Sequence, residues 1–386
     1  MLDIKFIREN RDLVKNAAKV KHVDFDVEKL VEVDNKRKEL QQKFDDLRSI
    51  QNSQGALLTK KETSNDEKQK ILADLGKVKE EMKGVGEQLK EKMSEWQKLM
   101  IYVPNIPDVS VPEGESDADN KEVKKWGEIP KFNFEPKSHI ELMESLDLAD
   151  FERGAAVSGF RGYFLKKDAV LLEFALFQFA LEHFIEKGFL PMSAPSLVRR
   201  EALLGTGYLP QGEDDMYKTQ DSDYLAGTGE VGAMSYFADQ ILDKKDLPKK
   251  ILAFSPCFRS ESGAHGKDVK GLYRVHEFLK LEQVVLCEAS HEESVKYHEE
   301  ITQNAEEMLQ KLGIPYRIVI NCGGDLGLGQ VKKYDLECWR PSSKTYGETH
   351  SSSYFHDFQT RRLNIRYKDD PSTSSGRAGK LKFAHS

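Results

Sequence analysis

Cysteine is scarce: four residues, Cys257, Cys287, Cys322 and Cys338, serve a chain of 386. No two have the spacing of a CxxC pair or a zinc site, so they read as reduced, mostly buried thiols of a cytosolic protein. No apolar run approaches the roughly eighteen residues that a membrane span needs, and the charged start MLDIKFIREN has no apolar signal core. Positive charge is not in excess either. With 58 Lys and Arg against 65 Asp and Glu the net charge is −7, so any contact with nucleic acid has to be local. A complete phosphate loop is also missing. Gly263-Ala-His-Gly266-Lys267 and Gly376-Arg-Ala-Gly379-Lys380 lack the full spacer and the Ser or Thr that should follow the lysine. Gly323-Gly-Asp-Leu-Gly-Leu-Gly329 has no dinucleotide-binding unit around it and reads as a tight turn. There is no convincing internal repeat.

What is present is charge concentrated between Cys257 and Gln283. Two short apolar–polar alternations flank a polar middle, the pattern of a strand, a loop and a returning strand. Residues two apart share a face of a strand. Arg259 and Glu261 therefore point together on the first strand, and Arg274, His276, Phe278, Lys280 and Glu282 form a row on the second. Tyr273, Val275, Leu279 and Leu281 take the opposite, core side, with Glu277 a misfit there. A solvated hairpin with cross-strand ion pairs would carry such charges too. Phe278 in the middle of the row argues instead for a nucleotide, because an aromatic face stacks a base and arginine binds phosphate bidentately.

Along the chain, Leu2 to about Lys19 reads as a short helix, and a second helix starts near Asp24–Asp26. Leu30, Val33, Leu40, Phe44 and Leu47 form a seam in which Arg37 fills one position. After a polar break from Asn52 to Asp66, Leu75, Val78, Met82, Val85, Leu89, Met93, Trp96 and Met100 form a second. The two predict an antiparallel coiled-coil hairpin roughly 50 Å long, with a plain dimerisation coil as the other reading. Pro104 and Pro107 end the arm, and residues 108–137 read as an extended linker. Ala169 to Lys187 predicts an amphipathic helix. Strands are expected at Tyr224–Ala226, Ile251–Phe258, Tyr273–Leu281, Arg317–Ile320, Tyr334–Trp339 and Phe358–Tyr367, with helices near Met234–Leu242 and Glu292–Leu312. This order favours a mixed, mainly antiparallel sheet.

Phe258-Arg-Ser-Glu261 followed by a loop and Arg274-Val-His-Glu-Phe278 resembles motif 2 of the class II aminoacyl-tRNA synthetases. Gly205-Thr-Gly-Tyr-Leu-Pro210, Gly227-Thr-Gly-Glu-Val231, Tyr334-Asp-Leu-Glu-Cys-Trp339, Tyr346-Gly-Glu348 and Asp357-Phe-Gln-Thr-Arg-Arg362 stand in the order of a seryl-tRNA synthetase. The helical hairpin is similar to that family's tRNA-binding arm. The resemblance covers nearly the whole chain. It implies an α+β protein with a helical arm over residues 1–104, its coiled coil spanning about 26–100, and a class II catalytic domain over 105–386. It also implies a cytoplasmic homodimer, with the surroundings of Pro195 matching motif 1 at the dimer interface. ATP, L-serine and Mg2+ are the implied small ligands, and tRNA(Ser), with tRNA(Sec) as a second acceptor, the implied partner.

By the same resemblance, ATP is expected on Arg259, Ser260, Glu261, Arg274, Phe278, Glu348, Thr349, His350 and Ser351. Arg259 would hold the α-phosphate, Glu261 the adenine edge and Arg274 the terminal phosphates, while Phe278 stacks on the base. Glu348 and Ser351 are the expected Mg2+ contacts. Thr228, Gly229, Glu230 and Glu282 match the serine pocket. Gly347 stands where the family usually has Arg, and Tyr354 where Asn is common; Gly229 and Gly232 replace the commoner Ala and Pro. The family continues past the position of Ser386 with a third motif, so the chain reads as C-terminally truncated, with reduced activity and solubility expected. A catalytically silent paralogue that binds RNA or a carrier protein is the alternative reading.

Overall fold

A computed structural model describes residues 1–58, 64–262, 270–369 and 380–386. The glycine–lysine pairs at 263–267 and 376–380 lie outside these residues, Lys380 excepted. The chain divides into one unit of Asp3–Ala18 and Asp24–Val103 and another of Met1–Leu2, Lys19–Val23 and Pro104–Ser386.

In the smaller unit the three-and-four spacing forms two long helices, α1 (Val27–Leu58) and α2 (Asn65–Ile101). Helix α1 overruns the break expected at Asn52. Helix α2 opens on a capping box in which Ser64 Oγ accepts from the Glu67 N–H and the Glu67 carboxylate accepts from the Ser64 N–H. Leu40, Leu47 and Val85 are buried between the helices, with Phe44, Val78, Met82 and Leu89 packed on them. Arg37 interrupts this seam at little cost, because its guanidinium lies 5.0 Å from the Trp96 ring centroid and donates to Asp34 at 2.7 Å. Burial pushes the Asp34 carboxyl up, but hydrogen bonds from Arg37 and Arg8 outweigh it and hold the group below its ordinary range. The single helix expected from Leu2 to Lys19 is two, Ile4–Glu9 and Arg11–Val20, parted at Asn10.

The larger unit contains β1 (Lys121–Trp126), α3 (Asp168–Glu186), β2 (Leu190–Ser193), α4 (Arg200–Thr206) and α5 (Gly229–Ser235). There follow β3 (Lys249–Phe258), β4 (Glu277–Leu286), α6 (His291–Lys311), β5 (Tyr316–Ile320), β6 (Lys332–Arg340), β7 (Thr345–Tyr354) and α7 (Phe358–Arg362). One sheet has the order β1-β5-β6-β7, antiparallel throughout. A second has the order β4-β3-β2, with β2 parallel to β3. Strand β3 is covered on both faces. Ile251 and Ala253 join Met234, Val284, Leu286 and Ile365 in one apolar cluster, while Leu252 joins Phe184, Phe189, Val285 and Tyr297 in another. Along β4, therefore, the face that bears Phe278, Lys280 and Glu282 turns into core at Val284 and Leu286. Glu277, the expected misfit on the opposite face, is exposed.

Four expectations need correction. The strand predicted to carry Arg259 and Glu261 stops at Phe258, and Glu261, at a left-handed φ of +52°, lies beyond its pleat. Arg274 and His276 likewise precede β4. Phe358–Tyr367 is not one strand but α7 followed by a strand at Arg366–Lys368. The helix expected over Met234–Leu242 begins earlier, capped by Thr228, and stops before Asp239 at φ +60°; Ile241–Asp243 then runs parallel to Arg366–Lys368. The linker over 108–137 supplies β1, an edge strand paired with β5.

Candidate active site

Strands β4 and β7 each end their sheet, and among the described residues neither pairs with a further strand. Between them opens a cavity of about 640 Å³. Residues 278–285 and 348–355 line it without interruption. Since alternate side chains point to opposite faces, an unbroken run means that each strand presents its edge. At one end of the gap His385 exchanges backbone hydrogen bonds with Cys287, while the Phe355 N–H donates to Ser386 O and the Ser386 N–H to His356 O. Thr228, Glu230, Arg259, Phe278, Glu282, Glu348, Thr349, His350 and Ser351 all line the cavity. Gly229, Ser260, Glu261 and Arg274 do not.

One wall is acidic and tightly bonded. Thr228, the N-cap of α5, is buried; its hydroxyl donates to Glu282 Oε2 at 2.9 Å and accepts from Lys280 Nζ at 2.7 Å. Lys280 also pairs with Glu282. Glu230, in the first turn of α5, accepts from Tyr208 Oη at 2.7 Å and from the Gln359 amide. Burial and the nearby Glu282 raise the Glu230 carboxyl above its ordinary range, and the bonds from Gln359 and Tyr208 only partly offset this. Two carboxylates a short way apart in a desolvated corner suit a cationic, hydroxyl-bearing guest.

The opposite wall depends on a bulge. In β7, Glu348 pairs with Glu337 and His350 with Leu336, which leaves Thr349 as the extra residue. Directly opposed residues of antiparallel strands share a face. Glu348 and Ser351 (opposite Asp335) consequently point the same way although they are three apart, and His350 turns to the Leu336 side. Surrounding protein and then Asp335 raise the Glu348 carboxyl, against Lys333 and Arg259. Lys333, 3.2 Å from Asp335, brings a cation to the cavity that the sequence reading had not assigned. Burial pushes the His350 imidazole down to about 4, so it is neutral near pH 7.

Arg259 links the walls. Its guanidinium lies 5.4 Å from the Phe278 ring centroid, and its Nε donates to Gly227 O at 3.4 Å. Glu261 is turned away from the cavity toward Arg274 at 3.1 Å and Arg161 at 3.7 Å. Ser260 is drawn off as well, donating to Asp214 O at 2.9 Å. Sequence reasoning gave no role to Tyr208, Gln359, Lys280 or Arg161. The first two lay inside quoted motifs and Lys280 on the polar row, whereas Arg161 carried no signal at all.

Residues 215–376 match the family model described as the tRNA synthetase class II core domain (G, H, P, S and T), and residues 1–107 match the seryl-tRNA synthetase N-terminal domain. The chain is 44% identical to the serine–tRNA ligase of Deinococcus radiodurans over 387 aligned residues, which cover 100% of this chain and 89% of that one. Its fold superimposes on the seryl-tRNA synthetase of Pyrococcus horikoshii, solved with ATP, with a TM-score of 0.89 at 36% identity, covering 100% of this chain and 90% of the other. The cytoplasmic serine–tRNA ligase of Naegleria fowleri, solved with AMP, gives 0.84 at 30% identity over 100% and 89% of the two chains. Arm and sheet thus agree with relatives that align along its whole length, and the chain belongs to the seryl-tRNA synthetase family, the serine–tRNA ligases.

Proposed function

We propose that the cavity between β4 and β7 binds ATP and L-serine, joins them as seryl-adenylate and passes the seryl group to tRNA(Ser). The observation that carries this reading is the meeting of Thr228, Glu230 and Glu282 with Arg259, Phe278, Glu348 and Ser351 in one cavity. The serine ammonium would lie against Glu230 and its hydroxyl against Thr228 and Glu282. Alanine and glycine lack the hydroxyl and would forgo its hydrogen bond to this charged corner, a loss of about 1.5–3 kcal/mol. The serine carboxylate attacks the α-phosphorus, a new P–O bond forms, and the bond to pyrophosphate breaks. The attacking group is already ionised, so no general base is required; the protein contributes alignment and positive charge. The terminal ribose hydroxyl of the tRNA then attacks the seryl carbonyl, and AMP leaves.

Arg259 is assigned to the α-phosphate, and Phe278 to the adenine. Glu261 and Arg274 are now paired with each other. Engaging the adenine edge and the terminal phosphates as expected would require that pair to part on ATP binding. Glu348 and Ser351 fit Mg2+: they are hard oxygen donors on one face, and a nucleotide-bound Mg2+ takes few protein ligands beside phosphate and water. Among the described residues no group of three or more His, Cys, Asp or Glu could hold a metal ion, which suits one that arrives with the nucleotide. When bound, it would neutralise phosphate charge.

The arm would recognise the tRNA by shape and backbone contacts. The protein is assigned to the cytoplasm, and no helix among the described residues is long and apolar enough to cross a membrane. An ATP–pyrophosphate exchange assay tests the reading. Exchange should depend on serine and respond to neither alanine nor threonine; a chain that exchanges equally well without serine would refute it.

A further inference from the structure

We propose that Tyr208 and Gln359 are positioning residues that clamp Glu230 in its ionised form, and so set the pH range over which the pocket accepts an amino acid's ammonium group. The proposal rests on the assignment of Thr228, Glu230 and Glu282 to the amino acid. Each oxygen of Glu230 has its own donor: Tyr208 Oη serves Oε2 at 2.7 Å, and the Gln359 amide serves Oε1. Gln359 is 1% exposed, and its amide also donates to Thr206 O at 3.0 Å. Its own carbonyl oxygen accepts from Ser386 Oγ at 2.9 Å. With every polar atom of the side chain engaged, the amide cannot flip without leaving a buried group unpaired.

The clamp is built by close packing of α4 on α7. A Cβ at Gly205 would come within 2.2 Å of Leu363 Cδ2, and one at Gly207 within 2.9 Å of Phe358 Cε1. Gly207 also caps α4 at φ +92°, a conformation that disfavours other residues. Bare backbone here lets Gln359 reach both Thr206 and Glu230. The charged and titratable groups around Glu230 are Glu282 and Lys280 on β4, Tyr208 beyond α4, and Arg259 after β3. Among the described residues no Lys, Arg or His forms an ion pair with Glu230, and Lys280 is committed to Thr228 and Glu282. Two neutral donors therefore keep a desolvated carboxylate charged until the guest brings its own cation. Donors to a carboxylate favour its ionised form, whereas burial and Glu282 oppose it.

The test is L-serine affinity, by titration calorimetry from about pH 5 to 9, for the unchanged chain, Y208F and Q359M, with ATP affinity measured in parallel. Each variant should shift the acid limb of serine binding upward by about one pH unit, weakening binding roughly tenfold at the acidic end. Affinity should recover to within about threefold at the alkaline end, and ATP affinity should not change. A loss equal at every pH, or no loss, overturns the clamp. If the unchanged chain binds ATP but no serine at any pH, the pocket assignment itself falls, and the clamp with it. Should Y208F not fold, Q359M carries the same comparison.

Discussion

Arg259 and Arg274 carry the same charge on the same hairpin, yet only Arg259 lines the cavity, over Phe278. A planar fork held against a ring is not replaced by a point charge. Arg259→Lys should lower serine-dependent exchange by roughly a hundredfold, with an unchanged unfolding midpoint. Histidines set a second expectation. Burial pushes His298, His350 and His356 down to about 4. Their folded values lie below the unfolded one near 6.5, so their neutral forms stabilise the fold above that pH, and the stability is lost as pH falls toward 4. Each adds about 1.4 kcal/mol per pH unit within that window. Urea titrations at pH 7, 6 and 5 should show falling midpoints, and His298→Gln should flatten the trend. The row of Phe278, Lys280 and Glu282 stood out because polar residues on a sheet face need a reason, whereas Thr228, Glu230, Glu348 and Ser351 were reached only through the family resemblance. Partners brought from elsewhere in the chain were not legible: Gln359 is 129 residues from Glu230, and its reach depends on two glycines that no periodicity reveals.

At the scale of elements, the bulge at Thr349 is decisive. A one-residue change of register turns every following side chain to the other face. Deleting Thr349 would restore regular pairing with Glu348 and Ser351 two apart and still on one face, so exchange should persist. Deleting Thr349 and His350 together would make them neighbours on opposite faces, and exchange should then fall by roughly a hundredfold or more. The seam of α1 and α2 makes a separable prediction. Leu47→Ala removes a buried contact worth about 2–5 kcal/mol in the arm and should weaken tRNA(Ser) charging while serine-dependent exchange persists. The arm was readable from its spacing, including the odd Arg37, whose partners Asp34 and Trp96 lie on the same two helices. Phe358–Tyr367 misled for the converse reason. Its apolar residues fit a strand by composition, but Phe358 and Leu363 fold against Gly207 and Gly205, and that tertiary contact selects a helix.

For the whole molecule, the outward face of α3 stands out: Leu171, Leu172 and Phe174 are 66%, 62% and 65% exposed. A homodimer, which the family resemblance implies, would bury an apolar face of this kind. Phe174→Glu should shift the chain toward monomer in sedimentation velocity. Nothing in the helix's period distinguished this face from core, since both are simply apolar.

The cavity between β4 and β7 has a consequence for motion. Its acidic wall is attached to one sheet and its Glu348 wall to the other, and among the described strands no ladder of hydrogen bonds joins the two edges beyond the bridge at His385 and Ser386. Unladdered edges breathe. A guest that touches both sheets would act as a rivet, tying the two edges together. Amide exchange along residues 278–285 and 348–355 should slow when ATP and serine are added together by more than either achieves alone, so that the two substrates hold the protein closed as they are held by it.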